Sequence, residues 1–393
     1  MAKRDKPLNV LVVTGAGASA NLGVDNTALP MMKGWAADLV PRLGAAGGQL
    51  GLGSDTDGPA FEAIIGRFLK FANSLDAVTQ LGFLGDTHNL SSVNGPMTPS
   101  GGNFSNWLSA AQGNVFGINR GIWESLWENF GRNRIDTQKA DRAYGALHSL
   151  IRESREGDMP CYIAHATTNF DTAIEVAIEE SDYPNTELLN GFANTSGYGR
   201  QRWSPNLLTT ARTDSDGRIP VVHLHGAVGW YYDPANKNLI QRRPTDDGYD
   251  DRMTPALLLP DDTKRPDAFP GPLFEVWEQF IILLQQATHV FMIGHSLHDA
   301  HLVKAISEAG KPTAVMSLGK ATIVTPNDAP SPLPLGHPSR LPRPMQWELL
   351  DPKESDRIER LIPGASVIPG QFGEGALASD FDAETFTKFL DRN

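Results

Sequence analysis

Six short runs of this chain are apolar without interruption and close on turn residues: NVLVVT (9–14), CYIAHATT (161–168), PVVHLH (220–225), HVFMIG (289–294), KATIVT (320–325) and ASVIP (365–369). A strand that shows one face to water alternates apolar and polar residues. A strand without that alternation is covered on both faces, as in a parallel sheet. Helical patterns lie between the runs. Trp123, Leu126, Trp127 and Phe130 recur at i, i+3, i+4 and i+7. Ala140, Ala143, Tyr144, Leu147, Leu150 and Ile151 keep the same period, as do Leu273, Phe274, Trp277, Phe280, Ile281 and Leu284. Covered strands alternating with amphipathic helices predict an α/β fold, a doubly wound parallel sheet.

The sheet is expected to be Rossmann-like, with about six strands. Its first crossover is anomalous: roughly 145 residues separate the first run from the second, far more than one crossover helix needs. That span reads as helical, with a polar gap at LGDTHNLSSVNGPMTPSGGN (84–103). The expected division is a sheet domain from 1–49 and 156–393, with a helical subdomain inserted at 50–155. Seven of the 28 prolines fall in 326–344, which therefore reads as a loop or semi-rigid arm. A last helix is expected from Asp380, with Phe381, Phe386, Phe389 and Leu390 inward.

Composition removes several functions. A net charge of −12 argues against direct nucleic-acid binding as the main role. The single cysteine, Cys161, allows neither an intramolecular disulfide nor a cysteine-built zinc site. The segment MAKRDKPLNV has no apolar signal-peptide run, and no stretch approaches the ~20 apolar residues of a membrane helix. The expectation is a cytoplasmic protein.

The first strand runs into GAGAS. Gly15 and Gly17 let the backbone approach a pyrophosphate, Ser19 adds a hydroxyl, and a helix start favours an anion. A tight strand-to-helix turn with no ligand would also use these glycines. A Rossmann dehydrogenase needs a second strand with an acidic end about 20 residues on. Asp38 is there, but in a helical pattern (ALPMMKGWAADLVPRLG).

Three later stretches carry candidate chemistry. In ATTNFDTAIEVAIEE (166–180), Asn169 and Asp171 stand at a strand's carboxyl end, where open α/β sheets bind ligands. Asp171 would serve equally as a helix N-cap. In VVHLHGAVGWYYD (221–233), His223 and His225 share a face if the strand is regular. His225, just before Gly226, is expected to face a cleft and suits a general base. His223 is expected to be a core histidine; no third ligand makes the pair a metal site. In VFMIGHSLHDAHLVKAI (290–306), Gly294 and Ser296 offer a second phosphate or ribose contact. Asp299 sits in the first helical turn, and the histidines at 295, 298 and 301 read as solvated helix surface.

The order GAGAS, TTNFD, HLHG, GHSL resembles the sirtuin superfamily, and within it the zinc-free, sirtuin-like branch of bacterial anti-phage NAD hydrolases. The resemblance spans about 8–325, including LLLPDDTKRP and LFEVWEQFIILLQQA. It implies NAD+ as substrate, with Gly15, Ala16, Gly17 and Ser19 lining the pyrophosphate and nearby ribose. Asn169 would hold the nicotinamide ribose or an attacking water. Asp171 with the Phe170 backbone would bind the carboxamide, His225 would be the base, Gly294 and Ser296 would contact the adenosine half, and Asp299 would also be cofactor-binding. The resemblance also implies a homo-oligomer and, as one arrangement of the branch, an activating HerA-type ATPase. The chain departs from the superfamily's deacylases. It cannot build their four-cysteine zinc module, and in place of their G-I-P-x-F-R run only Pro30 and Trp35 remain. NAD+ hydrolysis to nicotinamide and ADP-ribose is the expected activity. Protein deacylation or ADP-ribosyl transfer, and non-catalytic sensing of NAD+ or ADP-ribose, are the alternatives.

Overall fold

The computed structural model describes residues 7–26, 29, 32–50, 52, 60–61, 63–69, 71–72, 104–154, 160–181, 187–194, 200–210, 217–233, 238–242, 254–258, 271–317, 352–369 and 389–390. The expected strand at 320–325, the proline-rich segment, the polar gap at 84–103 and Pro30 lie outside these residues. So does most of the helix expected from Asp380 and of LLLPDDTKRP.

Twelve strands are described, in chain order β1 (Leu8–Thr14), β2 (Cys161–Thr167), β3 (Glu187–Leu189), β4 (Phe192–Asn194), β5 (Arg200–Trp203) and β6 (Arg218–His223). They continue with β7 (Trp230–Asp233), β8 (Asn238–Arg242), β9 (Thr254–Pro255), β10 (His289–Ile293), β11 (Thr313–Ser317) and β12 (Ser366–Pro369). Seven form a parallel sheet in the order β12-β11-β10-β1-β2-β6-β3. On one side of β1 the chain lays β2, then the edge strand β3, then β6 between them, and afterwards crosses back to lay β10, β11 and β12 on the other side. This is the doubly wound, Rossmann-like α/β fold that the uninterrupted apolar runs predict, and its direction reverses between β1 and β10.

The central strands β1, β2, β6 and β10 are largely apolar because both faces are covered. On β1, Val10 and Val12 pack with Tyr144, Leu147 and Ile151 and with Ile174 and Ile178. These come from the helical residues 137–153 and the helix Ala173–Glu179. Leu11 and Val13 face the other way, onto Phe280 and Leu284 of the helix Gly271–Gln286 and Leu302 and Ile306 of the helix Ala300–Ala309. Among the described residues, the expected inward faces hold except at Phe274, which is 39% exposed. A π-turn at Asp141–Gly145 interrupts the second pattern without turning its buried face outward.

Between β1 and β2 the described residues are helical: Met32–Gln49 with a break at Gly44, 60–61 and 63–69, and Phe104–Phe130. Asp38 lies in the first of these, as its sequence pattern indicates. It accepts hydrogen bonds from Arg42, Ser125 and Asn129 and so ties two helices together. These helices have their own core around Trp35, Phe61, Ile65, Ile122 and Phe130, and Phe170, Val228 and Leu257 from the sheet side enter it. A second, antiparallel sheet, β4-β5-β8-β7-β9, was not expected. Its strands have two to five residues, too short to establish a clear period.

Candidate active site

The sheet register brings the four sequence stretches together. Thr14 pairs with Ile293 on one side and Thr167 on the other, and Thr167 pairs with His223. The strands that lead into GAGAS, TTNFD, HLHG and GHSL therefore end in one row, at the carboxyl edge where the topology reverses.

The two glycine turns meet backbone to backbone. Gly15 N–H donates to the Ile293 carbonyl at 2.9 Å and Gly17 N–H to the Gly294 carbonyl at 3.0 Å. A Cβ on Gly294 would lie 2.2 Å from the Ala18 nitrogen and 2.5 Å from the Gly17 carbonyl carbon. Gly294 also has φ +60°, a conformation glycine adopts without steric cost. The glycines thus serve packing between turns, and two of their amides are occupied by that packing. Ala16, on the outer side of the turn, is exposed.

Asn169, Asp171 and Ser19 form one buried network. Asn169 Nδ2 donates to the Gly15 carbonyl at 3.0 Å and to Ser19 Oγ at 2.9 Å. Ser19 Oγ in turn donates to Asp171 Oδ1 at 3.1 Å. The same oxygen accepts from Ala173 N–H at 3.0 Å, so Asp171 also fastens the start of its helix. Burial pushes the Asp171 carboxyl up, partly opposed by these hydrogen bonds. Beneath lies the fully buried Tyr144; burial first, and then the charge on Asp171, raise its phenol pKa. Phe170 accepts Val228 N–H on its carbonyl at 2.8 Å. Its ring packs edge-on against Trp35 and Phe130.

The two histidines of HLHG do not share a strand face. β6 ends at His223, and His225 lies beyond it in a turn closed by Gly226 N–H on the His223 carbonyl. Gly226 has φ +79°, and a Cβ there would fall 1.9 Å from the Ala256 carbonyl oxygen. His225 is 4% exposed, with Nε2 at 3.9 Å from Asp299 Oδ2. His223 is fully buried, as a core histidine should be, but it is not inert. Its Nε2 meets Glu175 Oε1 at 2.5 Å and its Nδ1 the Asn169 carbonyl at 3.0 Å.

Past β10, the reading of a solvated histidine surface is corrected. The helix begins at Ala300, so His295 and His298 precede it. The His295 side chain is only 1% exposed; its Nδ1 accepts Leu297 N–H at 2.9 Å and its Nε2 lies 3.4 Å from Asp299 Oδ2. Leu297 reaches it from a left-handed φ of 57°. His301 packs on Trp277, and His298 is exposed. Asp299 occupies the helix N-cap without capping it; its carboxylate turns to the histidines instead. Ser296 is exposed, and its carbonyl accepts from Arg357 at 2.7 Å.

Glu175 escaped the sequence reading, although a signal existed. It is the one charged residue in the otherwise apolar stretch AIEVAI, four residues after Asp171. Among the described residues, no group of three or more His, Cys, Asp and Glu could hold a metal ion. Nor is any described helix long and apolar enough to cross a membrane.

Residues 164–338, a little under half of the chain, match the family model described as a SIR2-like domain. That stretch takes in TTNFD, HLHG and GHSL. Among solved structures, a Sir2 homologue in complex with NAD is similar at 13% identity. The similarity covers 97% of this chain and 88% of that one, with a TM-score of 0.37. A mutant Sir2 homologue bound to 2′-O-acetyl ADP-ribose is similar at 14% identity over 78% and 79% of the two chains, with a TM-score of 0.33. No curated protein matches the chain. The SIR2-like segment begins inside β2 and carries three of the four strand ends that line the candidate site.

Proposed function

We propose that this chain is an NAD+ hydrolase that releases nicotinamide and ADP-ribose. The observation that carries this reading is the Ser19–Asn169–Asp171 network at the reversal point of the sheet, with His225 and Asp299 paired past the ends of β6 and β10 in the same row of strands. The match of this region to a SIR2-like domain supports NAD+ as the ligand.

The roles follow from what each group has left to offer. An amide has two donor hydrogens and one acceptor oxygen. Both Asn169 N–H positions are engaged by Gly15 and Ser19, so its Oδ1 is the atom for a water or a ribose hydroxyl. Gly15, Ala16, Gly17 and Ser19 line the pyrophosphate side. Asp171 and the Phe170 backbone receive the carboxamide, and Gly294, Ser296 and Asp299 the adenosine side. In the reaction the bond between ribose C1′ and the pyridinium nitrogen breaks. Its electron pair leaves with nicotinamide, which departs neutral without an acid. Water oxygen bonds to C1′, and the water's proton passes to His225. Orientation and electrostatic placement are the enzyme's contribution. Residues 50–155, helical where they are described, act as an inserted subdomain. An anti-phage role, self-assembly, a cytoplasmic setting and activation by a HerA-type ATPase belong to the same reading.

Incubation with NAD+ alone tests it. Nicotinamide and ADP-ribose should appear in equal amounts without a protein acceptor. Turnover that needs an acylated or acceptor protein would make the chain a deacylase or transferase; NAD+ bound and never consumed would make it a sensor. His225→Ala should lower turnover at least about a hundredfold while costing only about 1–2 kcal/mol of stability. EDTA should leave turnover unchanged, since cleavage to a neutral leaving group needs no Lewis acid. Loss on chelation and recovery with zinc would overturn that expectation.

A further inference from the structure

We propose that Glu175 and His223 are a positioning pair that sets the backbone of Asn169 and, through it, the direction of the site amide. The activity readout below rests on the NAD+ reading; the structural readout does not.

Both backbone polar groups of Asn169 are held by side chains. Its N–H donates to Thr167 Oγ1 at 3.0 Å, and its carbonyl faces His223 Nδ1 at 3.0 Å. No sheet ladder fixes this residue, because β2 ends at Thr167. These two contacts orient the Asn169 peptide groups directly, while the next carbonyl, of Phe170, is held by Val228 N–H. With both fixed, the side chain reaches Gly15 and Ser19; a turned carbonyl would carry the amide away from both.

His223 can hold that carbonyl only if Nδ1 carries a proton. Glu175 ensures it. Burial alone would push the imidazole down, but the adjacent Glu175 charge and the hydrogen bonds to Glu175 and Asn169 outweigh it, and the pKa is raised. Nδ1 then donates to the Asn169 carbonyl while Nε2 faces Glu175 Oε1. An isolated buried carboxylate is costly in an apolar helix. Glu175 sits among Ile174, Val176 and Ile178, so a purely apolar residue would fill the position at lower cost. The histidine between a carboxylate and a loop carbonyl gives the charge a use.

Two substitutions separate positioning from packing. In His223→Asn the amide nitrogen overlies Nδ1 and can still donate to Asn169. In His223→Gln it overlies Nε2 and can reach only Glu175. Both remove the same ring, so a shared loss of stability cancels in the comparison. We expect kcat of His223→Gln to fall at least about thirtyfold, that of His223→Asn to stay within about fivefold of wild type, and KM for NAD+ to move less than about threefold in either. Independently, amide exchange in residues 168–173 should quicken at least about tenfold in His223→Gln and stay near wild type in His223→Asn. Equal effects of the two variants on both readouts would overturn the proposal. The expected exchange pattern in a protein that never consumes NAD+ would overturn the hydrolase reading alone. If neither His223 variant folds, Glu175→Gln keeps the ring and the volume. Faster exchange at 168–173 with the centre of β2 unchanged supports the pair; an unchanged loop overturns it.

Discussion

Gly294→Ala should cost at least about 4 kcal/mol, a fall of about 5 °C or more in melting temperature for a chain of 393 residues, and should abolish NAD+ binding. The added Cβ meets only backbone: the Ala18 nitrogen at 2.2 Å and the Gly17 carbonyl carbon and Cα at 2.5 and 2.8 Å. A side chain could rotate away; these atoms cannot. The two turns must separate, breaking the Gly17-to-Gly294 bond and moving Ser19 off Asn169. Gly310→Ala is the control. Gly310 has the same φ of +60° at a helix C-cap but nothing within 4 Å of its would-be Cβ. It carries only the left-handed cost, about 1–2 kcal/mol. Calorimetry on the pair isolates the contact from the conformation. Equal melting temperatures would mean that the close approach of the turns contributes nothing.

Asn169→Ala should slow NAD+ turnover at least about a hundredfold, since one preorganised polar contact to the reacting centre is worth roughly 3–4 kcal/mol. Affinity should stay within about tenfold, because the turns at Gly15 and Gly294 do not depend on this amide for their mutual contact. The structure adds a stability cost. The Gly15 carbonyl and Ser19 hydroxyl each lose a donor, and a buried group left without its partner costs about 1–3 kcal/mol. A lowered melting temperature is therefore expected in any case and discriminates nothing. Turnover decides: a normal rate in a destabilised variant would reduce Asn169 to a brace between two turns.

What the sequence revealed depended on how local the cause was. Strands β1, β2, β6 and β10 are legible because double-sided burial leaves an uninterrupted apolar run, and β12 is legible from its own short apolar run at the sheet edge. β11, TAVMS, carries one β-branched residue in its apolar centre and passes unnoticed. β3 has only three residues. The WYYD–NLIQR hairpin (230–242) did carry a signal, aromatic residues before a short connection. At the site, the glycines announce a close approach but not to what; the partner is another turn almost 280 residues away. The roles of His223 and His295 were missed for a similar reason. A histidine's partner is set by register and turn geometry: Glu175 meets His223 across 48 residues, and Leu297 and Asp299 meet His295 only through the turn that follows β10.

Phe170 makes the site answerable to the helices above it. Its backbone lies between Asn169 and Asp171, while its ring is sealed with Trp35 and Phe130 in the helical core. Lifting those helices means drawing a phenyl ring out of an apolar seat, on the order of 2–3 kcal/mol, and the strain falls on the two flanking residues. Such a linkage is reciprocal. Whatever grips the loop from the sheet side steadies the helices, and whatever pries the helices apart loosens the grip. A binding event at the outer helical surface would then be felt at the network of Asn169 and Asp171 without any contact to it. The same ring that stiffens the site is the lever by which it can be undone.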